Sequence, residues 1–525
     1  MRYVRQTLMV LCGFVTGGFV SPVGAGELTS ATLWAEFAKS PHTHSHLPDF
    51  SYAGYYCGEK PLPEPKVVAN VRDCGAKGDD ATDDTAAFKA AIQKAKAAGG
   101  GAVLVPAGKY RLTDVLRLDG SGLVLRGEGP GKTILRFERS LQDILGAKGS
   151  LWSWNGALVW IEATKESAAH ATVGPAIGTA KIVKEAKMGD FVVEVAPADA
   201  ARLQAAVGQH VLIEWTGGRT LFEHMGGHES FQQWPDGKWG YPHKPAKVDW
   251  VVAVTAVAGN RVTLKQPLRL DVRPDWEVAF REIGPRVEET GVEKLTILFP
   301  EHVRPGHLKD PGFNGVFIKR GVNCWVRDVT TVQADNGIIV DYGCHNTITN
   351  VTVTGSNCHH GLMLRYRAHD NLFTDFRIEA KPDHGVSTED YSSGNVWRKG
   401  VMLHGTFDSH CRMSFDSLRE CIELNSDGGP GGSSGSGPFL GRRMVHWGIR
   451  LTGGSSEWCF GPAYLPNGAI VGGQGSELFT RDTGLWHMLD GPKGCIVADH
   501  GKAPTPSSLY EAQLARRLKG GKPSF

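Results

Sequence analysis

Short apolar runs recur at nearly regular intervals through the second half of the chain. Between residues 315 and 409 they read GVFIK, GIIVD, GLMLR, GVSTE and GTFDS, each preceded by asparagine or histidine. The leading glycines are 22, 24, 24 and 20 residues apart. Extended runs with a period of twenty-odd residues are typical of a β-solenoid, because one coil cannot bury its apolar face without a neighbour. The pattern predicts stacked β-coils over residues 283–500.

A second marker accompanies these runs. An asparagine opens another extended segment at Asn323, Asn346, Asn371 and Asn395, in steps of 23, 25 and 24 residues. Successive coils of a solenoid lie about 4.8 Å apart, so equivalent positions of the coils become neighbours. We therefore expect Asn346, Asn371 and Asn395 to stack on adjacent coils.

The segment before the repeat starts with a helix signal. Phe88, Ala91, Ile92 and Ala95 share one helical face, and three consecutive glycines follow it and end the helix. The next residues, VLVPAGKYRL, alternate in the way that a strand, a turn and a second strand do. The pattern indicates a helix placed directly before the first β-coil.

These same residues carry a family resemblance. The segments GAKGDDATDDTAAFKAAI and GGGAVLVPAGKYRL resemble the opening of right-handed parallel β-helix proteins of the pectate-lyase superfamily. That group contains polysaccharide lyases, glycoside hydrolases and phage tailspike enzymes. The resemblance covers roughly residues 65–150 and, by periodicity, 285–425. It implies a helix that caps the first coil and a parallel β-helix behind it, and it leaves the reaction open.

Residues 178–282 break the repeat. Their strands alternate and are separated by turns, which predicts a small antiparallel β-subdomain inserted between coils. A long connection within it is rich in aromatic side chains. Such side chains either form a sugar-binding wall or pack as a hydrophobic cluster under the loop. The candidate substrate-binding residues of this connection are His228, Trp234, Trp239 and Tyr241.

The predicted fold class is all-β: a right-handed parallel β-helix with an N-terminal capping helix and the inserted antiparallel β-subdomain. We divide the chain into a signal peptide (1–25), a leader (26–65), the cap with the first coils (66–177), the insert (178–282), the main coils (283–500) and a C-terminal helix and tail (501–525).

The first 25 residues indicate export. Arg2 and Arg5 precede a short apolar run, and Val23-Gly24-Ala25 offers a small-residue cleavage site. The protein is therefore expected in the periplasm or outside the cell. No later stretch reaches about 18 apolar residues, so we expect no membrane insertion.

The charge balance argues against nucleic acid as a partner. Without Arg2 and Arg5, 55 of the 57 basic residues remain, which equals the 55 acidic residues. A chain with no net positive charge does not attract a polyanion over a distance. We expect a polysaccharide as the partner, held by local groups, and the oligomeric state stays open.

Three constellations carry candidate chemistry. Stacking predicts a histidine column on one wall, made of His360, His384 and His404. The fourth residue after each glycine gives a ladder of alternating charge: Lys319, Asp341, Arg365, Glu389 and Ser409. The segment 404–416 adds Asp408, His410, Arg412 and Asp416. Stacked like residues also serve packing alone, but imidazoles that titrate near neutral pH are unusual as scaffolding.

A polysaccharide lyase that acts by β-elimination on a uronate-containing glycan is the main hypothesis. It needs a cation for the substrate carboxylate, a base and a proton donor. Arg365 or Arg412 are the candidate cations. His384 or His404 are the candidate bases, and Tyr366 or His410 are the candidate donors. Asp408 completes the catalytic set. The residues expected to bind substrate on this wall are His360, Tyr366, Glu389 and Asp390.

The alternatives are a glycoside hydrolase, a carbohydrate-binding surface solenoid and a polymer-level epimerase. A hydrolase needs two carboxyl groups, for which Asp383, Glu389, Asp390 and Asp408 are available. The polygalacturonase pattern of NTD, DD, GHG and RIK is missing, and HHG at 359–361 is a partial echo. The aspartate clusters of calcium-dependent pectate lyases are not recognisable either. We therefore assign no metal and no cofactor from the sequence.

Overall fold

The computed structural model of the protein describes residues 28–226, 246–410, 412–426, 440–454, 465–475 and 494–520. Over these residues the chain forms a parallel β-helix with three walls. Several strands run through two of the walls, and each bends between them at one residue whose backbone is in the left-handed region. The bends of successive coils lie at Lys294, Asp328, Asn350, Asp375 and Lys399. Aspartate and asparagine tolerate that conformation better than most residues.

In the described part of the chain, the two walls joined by these bends form one sheet of 18 strands. Its strands are Val67–Asn70, Asp79–Asp83, Gly101–Leu104, Gly108–Leu112, Leu123–Arg126, Thr133–Phe137, Gly291–Leu298, Trp325–Val332, Thr347–Thr354, Leu372–Ile378, Val396–Arg398, Val401–Met402, Leu418–Glu420, Glu423–Ser426, Val445–Trp447, Arg450–Gly454, Ala469–Val471 and Ile496–Ala498. Their apolar side chains fill the interior of the helix as one continuous core.

The third wall carries the Asn-Gly and His-Gly repeats. Its seven strands are Leu116–Leu118, Val159–Ile161, Asn314–Lys319, Asn336–Asp341, His360–Arg365, Val386–Thr388 and Phe407–Ser409. Two short pairs, Val287–Glu288 with Gly321–Val322 and Asn357–Cys358 with Lys381–Pro382, lie at the corners. The predicted parallel β-helix is thereby confirmed.

The predicted asparagine stack is also present. Nδ2 of Asn346 donates to Oδ1 of Asn371, and Nδ2 of Asn371 donates to Oδ1 of Asn395, each at 2.9 Å. All three are buried. Asn323 does not continue the stack, because Trp325 pairs with Thr347 and so places Cys324 opposite Asn346. The one-residue difference in spacing at this coil moves Asn323 outward, where Oδ1 accepts from the backbone of Tyr56.

The predicted inserted β-subdomain is a six-stranded antiparallel sheet. Its strands are Ala180–Lys181, Val192–Glu194, His210–Gly217, Ala246–Ala258, Arg261–Leu264 and Glu277–Arg281. The sheet has its own apolar core, which includes Trp215 and Trp250. It docks on the coils through Asp370, whose carboxylate accepts from Trp250 Nε1 at 3.3 Å and pairs with Arg269.

Within the described residues, four α-helices lie on the outside of the coils and two pack on the insert. The first four are Ser30–Lys39, Thr85–Ala97, Leu141–Leu145 and Leu509–Lys519, and the helices of the insert are Pro197–Leu203 and Arg219–His224. The helix Thr85–Ala97 buries Phe88, Ala91, Ile92 and Ala95 against the first coils, as the sequence predicts. Short 3-10 turns are found at Tyr55–Gly58, Arg72–Cys74, Leu151–Ser153, Ala168–His170 and Gln204–Ala206.

No helix within the described ranges is long and apolar enough to cross a membrane. The predicted signal peptide, residues 1–25, lies outside those ranges.

Candidate active site

Successive coils of the third wall place two histidines face to face. Asn314 pairs with Asn336, and Asn336 pairs with His360. The next coil brings His384 onto His360, with ring centroids 4.8 Å apart and ring planes 24° from parallel. The predicted histidine column therefore has two stacked members, and two asparagines extend it toward the N-terminus.

The two asparagines determine how the proton of His360 is placed. Asn314 Nδ2 donates to the carbonyl oxygens of Trp152 and Gly156, both at 2.9 Å, and a carbonyl can only accept. Asn314 Oδ1 then accepts from Asn336 Nδ2 at 2.9 Å, so Asn336 Oδ1 faces His360 Nδ1 at 3.1 Å. His360 must donate from Nδ1, and its buried Nε2 has no hydrogen-bond partner among the residues that the structure describes. Burial holds the pKa of His360 well below its ordinary value.

His404 does not take the third place in the column. Val386 pairs with Phe407, a step of 21 residues, whereas the glycines that follow the histidines are 20 residues apart. Counting back from this pair places Gly405 beside His384, and His404 lies one residue outside the column. A shift of one residue turns a strand side chain to the other face.

Asp408 joins two imidazoles of the cluster. Its Oδ2 lies 2.7 Å from Nδ1 of His410, and its Oδ1 lies 3.3 Å from Nδ1 of His384. The Ser387 hydroxyl also donates to this fully buried carboxylate. Burial opposes ionisation of Asp408, but the two imidazoles outweigh it and lower its pKa. The pKa of His410 is raised, because the charge of Asp408 outweighs the effect of burial.

A loop that follows the strand Gly291–Leu298 contributes three groups that sequence reasoning missed. His307 is exposed, and its Nε2 lies 3.3 Å from Nε2 of His384. Arg304 Nε lies 2.7 Å from Asp310, and its Nη2 lies 3.0 Å from Asp383. Asp310 Oδ2 lies 2.9 Å from Nδ1 of His359, a fifth imidazole next to His360.

The loop forms one side of a groove of about 960 Å³. The other side is made by the corner segments around Asn357 and Lys381. His307 lies where the groove meets the imidazole cluster. Partial burial and the neighbouring His384 lower the pKa of His307, so its ring is neutral at neutral pH. The groove thus leads from solvent to a neutral imidazole.

Trp154 covers the other side of the cluster. Its ring lies 4.9 Å from His359, 5.2 Å from His360 and 4.7 Å from His410. It is partly exposed, and the Arg365 guanidinium lies 5.4 Å from its centre. A partly exposed indole beside polar groups suits the apolar face of a sugar ring.

The predicted charge ladder continues from Trp154 along the wall. Lys319 and Asp341 are neighbours, and so are Asp341 and Arg365. Arg365 forms an ion pair with Glu389 and donates to the Tyr366 hydroxyl at 2.8 Å. Arg365, one of the two candidate cations for the substrate carboxylate, therefore already has a protein counterion. Burial raises the pKa of Asp341 to about 7, although Arg365 acts in the opposite direction.

The remaining predicted residues lie beside this charge ladder or outside the described ranges. Arg412 Nη1 lies 3.6 Å from the buried Asp390. The four candidates of the insert, His228, Trp234, Trp239 and Tyr241, lie outside the described ranges.

Comparisons with known proteins point to polysaccharide-acting enzymes. Residues 68–165 match the family model described as "Rhamnogalacturonase A/epimerase, pectate lyase-like". Mannuronan C5-epimerase AlgE1 of Azotobacter vinelandii is 39% identical over 105 residues, 19% of this chain and 7% of that protein. Alginate lyase 7 of the same organism is 42% identical over 74 residues, 13% of this chain and 9% of that protein. The chain thus spans under a tenth of the length of both relatives.

A solved structure agrees with the fold. The tailspike protein gp49 from Pseudomonas phage LKA1 superimposes with a TM-score of 0.52 over 77% of this chain and 64% of its own, at 16% identity. This likeness concerns the fold alone. Residues 68–165 are therefore similar to the pectate lyase-like rhamnogalacturonase A/epimerase family, and the chain has a parallel β-helix fold.

Proposed function

We propose that this protein is an exported enzyme that cleaves a uronate-containing polysaccharide by β-elimination. The observation that carries the proposal is a carboxylate, Asp408, that holds two imidazoles at the inner end of a groove. Elimination beside a carboxylate needs a base and a proton donor on the same substrate unit, and a cation for the carboxylate. The relatives named mannuronan C5-epimerase and alginate lyase support a uronate polymer as the substrate.

The proposed base is His307. It is the exposed imidazole of the cluster, and His384 lies behind it at 3.3 Å. When His307 takes the proton next to the substrate carboxylate, the charge of Asp408 behind His384 stabilises the imidazolium, as a buried carboxylate does in catalytic triads. Asp408 and His384 position the base.

The proposed proton donor is His410. Its pairing with Asp408 at 2.7 Å favours the protonated ring, which can protonate the leaving oxygen. Lys381, which is exposed on the groove rim, neutralises the substrate carboxylate, because Arg304 beside it already pairs with Asp310 and Asp383. Trp154 and Tyr366 support the sugar units on the far side of the cluster, with Arg365 and Glu389 holding Tyr366 in place.

A substrate panel tests the reaction. The purified protein is incubated with polymannuronate, polyguluronate, polygalacturonate and a neutral glucan. β-Elimination produces the ultraviolet absorbance of an unsaturated uronate on at least one of the acidic polymers. New reducing ends without this absorbance would identify a hydrolase. Inverted C5 centres without chain cleavage, measured by proton NMR, would identify an epimerase.

A further inference from the structure

The imidazole cluster gathers three histidine rings around one buried carboxylate. His360, His384 and His410 lie with ring centroids 4.6–5.3 Å from one another, around the carboxylate of Asp408. Within the described residues, His360 Nε2 is buried without a hydrogen-bond partner, and Nδ1 of His384 and Oδ1 of Asp408 face each other at 3.3 Å without hydrogen-bond geometry. Leaving a buried polar atom unpaired costs about 1–3 kcal/mol, so the open Nε2 of His360 beside these groups calls for a ligand.

We propose that His360, His384, His410 and Asp408 bind a divalent transition-metal ion of the zinc class. Each residue offers one ligand atom, and these four atoms lie within 4.8 Å of one another. Three nitrogens and one carboxylate oxygen suit tetrahedral Zn²⁺, whereas Ca²⁺ and Mg²⁺ require a shell of oxygens.

Asn314 and Asn336 prepare His360 for this role. A histidine ligand must be neutral at the coordinating nitrogen, and a hydrogen bond from its other nitrogen usually fixes the tautomer. Asn314 and Asn336 hold His360 with the proton on Nδ1, which leaves the lone pair of Nε2 in the cluster. Asn314 Nδ2 donates to two backbone carbonyl oxygens, which can only accept. Turning the Asn314 amide over would break both bonds, so the direction of the hydrogen bonds toward His360 is fixed.

The ion and the proposed elimination compete for the same groups. His307 is outside the four ligands, but a metal-bound His410 can no longer give its proton to the leaving oxygen. Zinc loading is therefore expected to lower the elimination rate, and chelation to restore it. This last step rests on the proposed function, whereas the binding site itself does not.

Calorimetry on the full chain tests the site without substrate. The protein is stripped with a chelator, dialysed and titrated with zinc chloride, and we expect one ion per chain. His360→Gln and Asp408→Asn should each weaken binding at least tenfold. Asp383→Asn, which removes an exposed groove carboxylate outside the four ligands, is the matched control and should keep the wild-type affinity. Calcium chloride should give no heat of binding.

Cobalt provides a second readout that does not depend on the variants folding equally well. Co²⁺ bound to wild-type protein should show the intense visible bands of tetrahedral coordination. Absence of zinc binding, or loss of binding in His359→Gln but not in His360→Gln, would overturn the assignment. Zinc binding without a lower elimination rate would leave the site standing and overturn the role of His410.

Discussion

At the scale of single residues, the burial of ionisable groups lowers the folding stability at this site. Asp341 lies between Lys319 and Arg365 on the ladder, yet neither of its oxygens accepts a hydrogen bond within the described residues. Its pKa of about 7 lies above the value of about 3.9 for an unfolded chain. The folded protein therefore binds one more proton than the unfolded chain between about pH 4 and pH 7.

This difference predicts a stability profile. The contribution of Asp341 to stability is present at low pH and is lost as the pH rises toward 7, because only the folded state keeps the proton. Asp341→Asn should remove this loss, so the gain in melting temperature over wild type should be larger at pH 8 than at pH 5. Asp375→Asn, an exposed aspartate, is the control. A difference between Asp341→Asn and wild type that stays constant from pH 5 to pH 8 would contradict the pKa assignment.

Trp154 gives a second residue-scale prediction. If its indole supports a sugar ring, Trp154→Ala loses a contact of about 0.5–1.5 kcal/mol and KM rises about two- to tenfold. Trp154→Phe keeps an aromatic face and should lie between alanine and wild type, while kcat changes less in both variants. Steady-state kinetics on the substrate found in the panel measure this. An unchanged KM in Trp154→Ala would make the residue a cover for the histidines only.

The sequence indicates only part of the site, for physical reasons. The repeat brings His360 and His384 together because β-coils keep register, but a step shortened by one residue removes His404 from the column. His307 and Trp154 lie in irregular segments, where no periodicity predicts which side chains meet. Two sequence features could have indicated the additional imidazoles: the histidines at both ends of HVRPGH, residues 302–307, and the dipeptide His359-His360.

At the scale of elements, the buried asparagine stack ties neighbouring coils together. Asn371 donates to the Gly343 carbonyl at 3.0 Å and to Asn395, and it accepts from the backbone and side chain of Asn346. Repetition of the same contact in each coil made this feature predictable from spacing alone. The walls and the capping helix followed from periodicity in the same way, whereas the bends and corners depend on single residues with left-handed backbone.

Removal of one stack member should therefore be costly. Asn371→Ala leaves the backbone N–H of Asn346 buried without its partner and also removes the side-chain bonds to Asn346, Asn395 and the Gly343 carbonyl, at a cost of about 2–4 kcal/mol. Denaturant unfolding measures the free energy. Asn357→Ala, at an exposed position of a corner strand, should cost under about 0.5 kcal/mol. Equal losses in the two variants would show that the stack adds nothing specific.

At the scale of the whole molecule, the β-helix brings together residues that are far apart in sequence. Trp154, His307, His384 and His410 come from four separate segments. The insert that divides the first coils from the main coils docks through Asp370, in the corner that follows the strand His360–Arg365. A solenoid grows by adding coils, so a site on one wall can be assembled while the core remains continuous.

The rate of unsaturated-uronate formation by His410→Gln, relative to wild type, tests the central claim most directly. The claim predicts a loss of about 10²- to 10⁴-fold, the usual contribution of acid–base catalysis, with a melting temperature close to that of wild type. Asp375→Asn, at an exposed bend away from the groove, provides the folded comparison. A His410→Gln enzyme that eliminates at the wild-type rate on a uronate polymer would contradict the claim that this imidazole cluster is the catalytic centre.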